Sequence, residues 1–510
     1  MVDCMGAHLS RDGEFESRNA LIRSIRCTGG NVDIGVIFAP VFNYGRAGPG
    51  FEETPSGIIA RSGKAWIGLS STTRLSIAGG SARLRASLSA GERIDLLASW
   101  EKRPRSITSN SIDGLVAETE LGWRTWKGKL TYEGPFTEAV ERSTLLLKAL
   151  DYTPTGASVA APTTSLPERI GGVRNWDYRY GWIRDVAYGV YALRRVGLRH
   201  EAGQFMDWAF IAARCSPQSV QAMYKLDGGR GLQEHLLDHL EGYRRSRPVR
   251  TGNAAATQLQ LDAFGELLDC FHQWRRDGGA VTPTMWQCLR SQVDWLADNW
   301  ERPDHGIWEV RRTPQRFTHS AAMSHVALDR GIRAAEEVGL SAPLERWRAE
   351  RERTLRAVVE GAWSDEIGSI AQTLGGRDVD ASLLALPLRR VVPATYPRMR
   401  STILAIQERL GAGGGLLYRY LSPDGLPPGE GAFLVSSFWM VDCLAMLGQR
   451  DQAGELYEQL LGYRNDLGLL SEQIDPGTKE LLGNFPQALS HIGVLGSAVN
   501  LARGEVPREP

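Results

Sequence analysis

Four segments of the sequence combine aromatic rings with carboxyl and guanidinium groups, the side chains that recognise sugars. A flat aromatic ring covers the apolar C–H face of a pyranose, while Asp, Glu and Arg form bidentate hydrogen bonds with neighbouring hydroxyl groups. Loops between long helices are a common place for such residues, so we interpret these segments as candidate site loops. They are GGVRNWDYRYGWIRDVAY (171–188), DHGIWEVRRTPQRFTHS (304–320), GGLLYRYLSPDGLPPGEGAF (414–433) and GLLSEQIDPGTKELLGNFPQALSH (468–491).

Two glutamates in these loops are candidates for the acid and the base of a glycosidic bond cleavage, which needs one protonated and one ionised carboxyl group. Glu309 is flanked by Trp308 and Val310, and apolar neighbours raise the pKa of a carboxyl group, so we predict Glu309 as the acid. Glu472 lies between Ser471 and Gln473 in a polar loop, and we predict that it stays ionised as the base.

The composition excludes several other classes of function. The chain has 510 residues with 59 Lys and Arg against 59 Asp and Glu, so its net charge of zero argues against a general nucleic-acid or anionic-membrane binder. Six cysteines without a CxxC pair, no signal sequence and no long apolar run predict a cytoplasmic protein with reduced thiols. His235 and His239 have helical metal-ligand spacing, but no glutamate follows the first histidine and no third ligand is apparent. We therefore expect no metal and no cofactor.

The elements that must position these loops fall into two regions. Residues 1 to about 132 contain short segments in which apolar and polar residues alternate, as in half-buried antiparallel strands, and their short spacing predicts a β-sandwich. From residue 136 onward apolar residues recur at helical spacing, with Thr137 as the expected N-cap of the first helix. The predicted strands are 32–42, 57–61, 64–70, 73–79, 82–88 and 93–100. The predicted helices are 136–150, 184–197, 200–215, 256–274, 283–300, 320–339, 346–363, 396–411, 431–448, 450–463 and 488–504.

Several of these stretches resemble glycoside hydrolase family 15, the group of glucoamylases and bacterial trehalases. The similarity runs in the same order from about residue 130 to 503. It is carried by SVAAPTTSLPERIGG (158–172), RNWDYRYGWIRD (174–185), GYRRSRPVRTGNAAATQLQLDAFGE (242–266), GIWEVRRTPQRFTHS (306–320), DGLPPGEGAFLVSSFWMVD (424–442) and LLSEQIDPGTKELLGNFPQALSHIG (469–493).

The resemblance implies an α+β two-domain fold. An N-terminal antiparallel β-sandwich at 1–132 precedes an (α/α)6 barrel catalytic domain at 133–510. A DGSIDW-like stretch of bacterial members is missing, so we expect a shortened β-domain.

The resemblance also implies an inverting, exo-acting α-glucoside hydrolase in which Glu309 matches the general acid and Glu472 the general base. Arg184 and Asp185 match a pair that binds the hydroxyl groups of the non-reducing-end glucose. The remaining matches are to residues around the sugar: Tyr178 near the developing oxocarbenium ion, Trp182 and Trp308 in the pocket wall, and Arg419 towards the leaving group.

The sequence departs from the family pattern at Gly181, Ala321 and His325, where bacterial members tend to carry Cys or Thr, Lys and Trp. These departures favour an alternative in which the pocket accepts a secondary metabolite or another non-starch acetal or glycoside. A second alternative is a non-catalytic sugar-binding protein. In each case the expected partner is a small carbohydrate or a glycoside-like molecule, with no nucleic acid and no membrane. The assembly is left open between a monomer and a homo-oligomer.

Overall fold

The computed structural model describes residues 1–11, 13–101, 103–213 and 220–502, and it divides the chain into two compact units, Met1–Lys129 and Leu130–Pro510. The predicted helices 200–215 and 488–504 have their last residues outside the described residues. Cys215 also lies outside them.

The first unit contains two antiparallel sheets. The six-stranded sheet has the order β1-β2-β9-β6-β5-β4 and the three-stranded sheet the order β3-β8-β7. Side chains from both sheets, such as Ile58, Leu84 and Ile94, bury one another in a common apolar core. The strands are β1 (Val2–Leu9), β2 (Phe15–Arg26), β3 (Asn31–Phe38), β4 (Gly50–Thr54), β5 (Gly57–Ser62), β6 (Ala65–Ser71), β7 (Ser76–Ala78), β8 (Ser81–Ser89) and β9 (Arg93–Ser99).

A helix that the sequence reading missed, α1 (Ser109–Lys127), follows the strands of the first unit. Thr108 and Ser111 form a capping box at its start, which satisfies two otherwise unpaired backbone N–H groups. Its apolar face is narrow, with Ile112 and Trp126 among its few buried residues. The apolar residues of α1 therefore recur only weakly at a helical period, whereas the preceding strands show a strong alternation of apolar and polar residues.

The second unit is helical, and most of its predicted helices occur within a few residues of the expected bounds. The helices are α2 (Thr137–Ala149), α3 (Ile183–Arg195), α4 (Arg199–Ala213), α5 (Asp262–Arg276), α6 (Pro283–Asn299), α7 (Thr318–Val338), α8 (Leu344–Arg356), α9 (Ala385–Leu388), α10 (Pro397–Arg409), α11 (Leu434–Met446), α12 (Arg450–Leu461) and α13 (Ala488–Ala502). Two-stranded and three-stranded ribbons join the loops: β10 (Asp151–Tyr152), β11 (Ala157–Ser158), β12 (Gly181–Trp182), β13 (Met223–Tyr224), β14 (His235–Leu236), β15 (Arg250–Thr251), β16 (Trp363–Ser364), β17 (Ser369–Ile370), β18 (Gly411–Gly413), β19 (Leu416–Leu417), β20 (Ala432–Phe433), β21 (Gln473–Ile474) and β22 (Leu481–Leu482).

Alternate helices of the second unit contact one another in a fixed order. The order is α13, α3, α5, α7, α9 and α11, and α11 returns to contact α13. Residues of α11 and α13 are buried around nearly the whole helix, as expected for helices that are apolar on all sides. Two of the helices that lie between those of this series in sequence, α8 and α12, bury only two and three residues.

Three local predictions for this unit are wrong. Phe136 is the N-cap of α2, in a left-handed conformation, and Thr137 is the first helical residue. The segment 256–274 begins as a short 3-10 turn, so its α-helix starts at Asp262. His235 lies in a two-residue strand, which removes the helical face that the His-x-x-x-His spacing suggested.

Buried ion pairs connect α5 and α7 with the residue that follows α9. Asp269 accepts hydrogen bonds from Arg330 at 2.9 Å and from Arg389 at 3.0 Å, and Arg389 also bonds to Glu266. Burial raises the pKa of Asp269, but the two guanidinium groups outweigh it and hold this pKa below its ordinary value. The Asp269 carboxylate is therefore a counter-charge shared by two buried cations, which pair in addition with Asp329 and Glu266.

Replacing Asp269 by Asn is expected to destabilise the helical unit by about 3 kcal/mol, because two buried guanidinium groups lose their shared counter-charge. Urea unfolding followed by circular dichroism measures the change. The matched control is Glu366→Gln, which breaks an exposed pair with Arg377 and should leave the unfolding midpoint unchanged. Equal midpoints for wild type and the Asp269 variant would contradict the role given to this network.

Candidate active site

All eight residues that the sequence singled out line one cavity. With its open mouth included, the cavity encloses about 680 Å³. The residues are Tyr178, Trp182, Arg184, Asp185, Trp308, Glu309, Arg419 and Glu472. The four loops that carry them, far apart in sequence, thus contribute to a single pocket in the second unit.

The loops converge because each one leads into a helix of the contacting series. Trp182 directly precedes α3, the loop with Glu309 precedes α7, and the loop with Glu472 precedes α13. Short ribbons hold the loops together: β12 pairs with β13, and β20 pairs with β21, so that Phe433 lies opposite Gln473.

The Glu309 carboxylate is held by donors from the first loop. Its Oε1 accepts hydrogen bonds from Trp182 Nε1 at 2.9 Å and from Arg184 Nη2 at 3.3 Å. Its backbone has a φ of 58°, a conformation that L-residues rarely adopt and that is common at functional sites. Trp308 and Val310, the sequence neighbours of Glu309, are buried, and the Glu309 carboxylate itself forms an ion pair with Arg184 at 3.3 Å.

Trp308 forms a wall of the same cavity and is fixed by a buried acceptor. Its Nε1 donates to Asp380 Oδ1 at 2.8 Å, and Asp380 also accepts from Gln372 at 2.7 Å. The ring packs edge-on against Phe433 with 5.3 Å between the centroids. These contacts keep the indole from rotating into the space beside Glu309.

Arg184 lies among carboxylates at the start of α3. It forms ion pairs with Asp262 and Glu309, each at 3.3 Å. Burial raises the pKa of the neighbouring Asp185 to about 6, against the opposing effect of Arg184. Arg184 and Asp185, the pair expected to bind sugar hydroxyl groups, are therefore accompanied by another carboxylate, Asp262, which bonds to Arg184. Asp262 was not predicted from the sequence to take part in the site.

Glu472 differs from its sequence-based prediction. The residue is buried with 3% of its surface exposed, and its Oε1 accepts a hydrogen bond from the Tyr178 hydroxyl at 2.6 Å. Burial, followed by the negative charge of Glu168, raises the pKa of Glu472 well above its ordinary value. The polar sequence neighbours of Glu472 do not form an open polar loop, because Ser471 and Gln473 are themselves completely buried.

Arg419 is enclosed by two acidic residues and three aromatic rings. Its Nη2 donates to Glu168 Oε2 at 3.0 Å and also bonds to Glu430. Its guanidinium carbon lies 4.8 Å from the ring centre of Phe433 and 5.7 Å from that of Trp308, within the range of cation–π attraction.

Several residues that line the cavity were not predicted from the sequence to belong to the site. Arg174 forms two parallel hydrogen bonds with Asp424, at 2.8 and 2.9 Å, and Trp176 has the guanidinium groups of Arg250 and Arg311 within 5 Å of its ring centre. These residues belong to the stretches that resemble the family, so the sequence indicated that they lie near the site. It did not indicate which of them contact one another. The lining residues without an assigned role are Ala160, Glu168, Arg174, Trp176, Ile307, Arg311, Asp424, Leu426, Phe433, Gln487 and Leu489.

The departures from the family pattern lie outside the cavity lining. Ala321 is buried within α7, and His325 Nδ1 lies 3.1 Å from the carbonyl oxygen of Arg351. Gly181 packs against Trp208, where a Cβ atom would come within 2.5 Å of the indole. These three positions therefore give no support to the alternative of an altered pocket.

The described residues contain neither a candidate metal site nor a candidate membrane span. No group of three or more His, Cys, Asp or Glu side chains in this part of the chain is arranged to hold a metal ion. No helix within the same ranges is long and apolar enough to cross a membrane.

Comparisons with known proteins give the family. The sequence profile described as Glycosyl hydrolases family 15 matches residues 134–499. The chain belongs to this family, and it is a glycoside hydrolase. It is 38% identical to a trehalase of Mycolicibacterium smegmatis, over 96% of this chain and 76% of that protein. It is 37% identical to a trehalase of Thermoplasma volcanium, over 94% of this chain and 76% of that protein.

Among solved structures, a bacterial glucoamylase complexed with acarbose superposes with a TM-score of 0.72 and 13% sequence identity. The match covers 98% of this chain and 83% of the glucoamylase chain. At this identity the likeness concerns the fold, so the chain shares the helical and antiparallel-strand architecture of that enzyme.

Replacing Tyr178 by Phe is expected to raise the pKa of Glu472 further, because the donated hydrogen bond stabilises the ionised carboxylate. Infrared difference spectra should show the carbonyl band of a protonated carboxyl group persisting to higher pH than in wild type. Tyr180→Phe is the matched control, since the Tyr180 hydroxyl accepts from the Gly252 N–H group. A band that disappears at the same pH in wild type and the Tyr178 variant would contradict the assignment.

Proposed function

We propose that the protein hydrolyses α,α-trehalose with inversion, with Glu309 as the general acid and Glu472 as the general base. The observation that carries this proposal is the meeting of both carboxyl groups, from loops 163 residues apart, in the wall of one cavity with aromatic and cationic neighbours. The choice of trehalose is supported by the names of the bacterial and archaeal relatives, which are trehalases.

The proposal includes the architecture that the resemblance implies. Residues 1–132 form a β-sandwich domain, which is supported by two antiparallel sheets with a common core. Residues 133–510 form an (α/α)6 barrel, which is supported by the cyclic order of contacts through α13, α3, α5, α7, α9 and α11. In this arrangement the catalytic loops all lie at the ends where these helices begin.

In the proposed mechanism Glu309 transfers a proton to the glycosidic oxygen as the bond from this oxygen to C1 breaks. A water molecule attacks C1 from the opposite face, and Glu472 accepts the proton that this water loses. Glu309 is oriented by Trp182 and Arg184, and Glu472 by the Tyr178 hydroxyl. Inversion at C1 follows because one displacement occurs without a covalent enzyme intermediate.

The surrounding residues recognise the glucose that is attacked. The rings of Tyr178, Trp182 and Trp308 offer flat apolar surfaces for the C–H faces of the sugar, and Tyr178 meets Trp182 edge-on at 5.3 Å. Arg184 and Asp185 supply charged donors and acceptors for the hydroxyl groups, which is a strong form of hydrogen bonding.

Among a panel of trehalose, maltose, isomaltose and starch, we expect trehalose to have the highest kcat/KM. Glucose release measured by an oxidase-coupled assay in separate reactions provides the comparison. A higher kcat/KM for starch or maltose would contradict trehalose as the substrate, and no glucose from any of the four would contradict the proposed α-glucosidase.

Glu309→Gln and Glu472→Gln should each lower kcat for trehalose by about 100-fold or more, because each removes one proton-transfer group and preserves the side-chain volume. The matched controls are Glu301→Gln and Glu480→Gln, two exposed carboxylates near the same loops that pair with Arg353 and Arg244. Retention of wild-type kcat by either active-site variant would refute its assigned role.

A further inference from the structure

One carboxylate in the cavity has no role in the proposed mechanism. Glu168 is 1% exposed and lines the same cavity as Glu472. Its backbone is fixed on both sides, since its N–H donates to the Arg174 carbonyl at 3.1 Å and its own carbonyl accepts from the Gly431 N–H at 3.2 Å. Its Oε2 accepts from Arg419 at 3.0 Å, whereas its Oε1 is buried without a hydrogen bond in the described residues.

The charges around this group do not balance. Arg419 and Arg174 bring two positive charges to a region with four carboxyl groups, those of Glu168, Glu430, Glu472 and Asp424. Like charges in a buried site cannot all ionise, so the cluster retains a proton near neutral pH. The groups that face Glu168 and Glu472 are the cations Arg174 and Arg419, the carboxyl group of Glu430 and the hydroxyl group of Tyr178.

We propose that Glu168 is a positioning residue that orients Arg419 and, through its negative charge beside Glu472, controls the ionisation of the general base. This inference rests on the proposed function, in which Glu472 accepts a proton from water. Glu168 contributes in two ways: its hydrogen bond fixes the Arg419 guanidinium, and its charge opposes the formation of a second anion at Glu472.

The direction of the effect follows from the signs of the charges. An ionised Glu168 raises the pKa of Glu472, and burial with Glu430 raises the pKa of Glu168 itself to about 7 against the opposing effect of Arg419. The base must be ionised to act, so activity is lost as the pH falls through the raised pKa of Glu472. Removing the charge of Glu168 therefore extends activity to lower pH.

The test is the pH dependence of kcat/KM for trehalose in wild type, Glu168→Gln and Glu168→Asp. The acidic limb of this profile reports the free enzyme's base. In Glu168→Gln, which keeps an acceptor for Arg419, we expect the limb to move to lower pH by about one unit or more. In Glu168→Asp, which keeps the charge but shortens the reach to Arg419, we expect kcat to fall with a smaller displacement of the limb.

Glu266→Gln is the matched control, because Glu266 is an equally buried carboxylate paired with Arg389 outside the cavity lining. Its acidic limb should coincide with that of wild type. An acidic limb that stays in place or moves to higher pH in Glu168→Gln, or that moves equally in Glu266→Gln, would overturn the inference.

A second measurement compares infrared titrations of the wild type and Glu168→Gln. The wild type should show a carboxyl carbonyl band that disappears near pH 7 and that Glu168→Gln lacks, whereas Asp304 and other buried carboxyl groups with raised pKa values contribute to both spectra. Identical spectra for the two proteins would overturn the inference. The two proposals fail separately. Turnover by Glu472→Gln at the wild-type rate would refute the proposed base, whereas an inactive Glu472→Gln together with an unmoved limb in Glu168→Gln would refute only the role of Glu168.

Discussion

A buried guanidinium group, that of Arg419, holds the wall of the cavity together. The Arg419 side chain bonds to Glu168, which lies 251 residues away in sequence, and to Glu430, which lies 11 residues away. The backbone carbonyl of Arg419 accepts a hydrogen bond from the Ala381 N–H group at 2.8 Å. A buried arginine must be paired, because leaving its charge uncompensated in the interior costs several kcal/mol. The loop before α3 and the loop before α11 are thus linked through one charge, that of Arg419.

Glu309 and Glu472, the two catalytic candidates, lie in different electrostatic surroundings. Glu309 faces a cation, Arg184, and an indole N–H group, whereas Glu472 lies beside other carboxylates and a tyrosine hydroxyl. Burial and the negative charge of Glu168 raise the pKa of Glu472, so this group holds its proton to higher pH than an exposed carboxyl group does. In the proposed mechanism Glu472 must be ionised before it can accept the proton of the attacking water.

The sequence was informative about periodic elements and about residues in recognisable motifs. The helices α3, α6, α7 and α13 were predicted because their apolar residues recur at a helical period, and the eight cavity residues were found through motif resemblance and loop composition. The helix α1 was missed because few of its residues are buried, and the surroundings of Glu472 were predicted wrongly from its polar sequence neighbours. Whether a loop is buried depends on the segments that pack over it, which its own sequence does not reveal. Ion pairs such as Arg174–Asp424 join residues 250 positions apart, so local sequence does not reveal them either.

The stereochemistry of a single turnover tests the central claim most directly. Trehalose is hydrolysed in water enriched in ¹⁸O, and proton NMR with mass spectrometry follows the products before mutarotation. Attack by water with inversion predicts equal amounts of α- and β-glucose at the earliest times, with ¹⁸O in the β-anomer alone. Release of α-glucose only, with ¹⁸O in that anomer, would indicate retention at C1 and would contradict the roles given to Glu309 and Glu472.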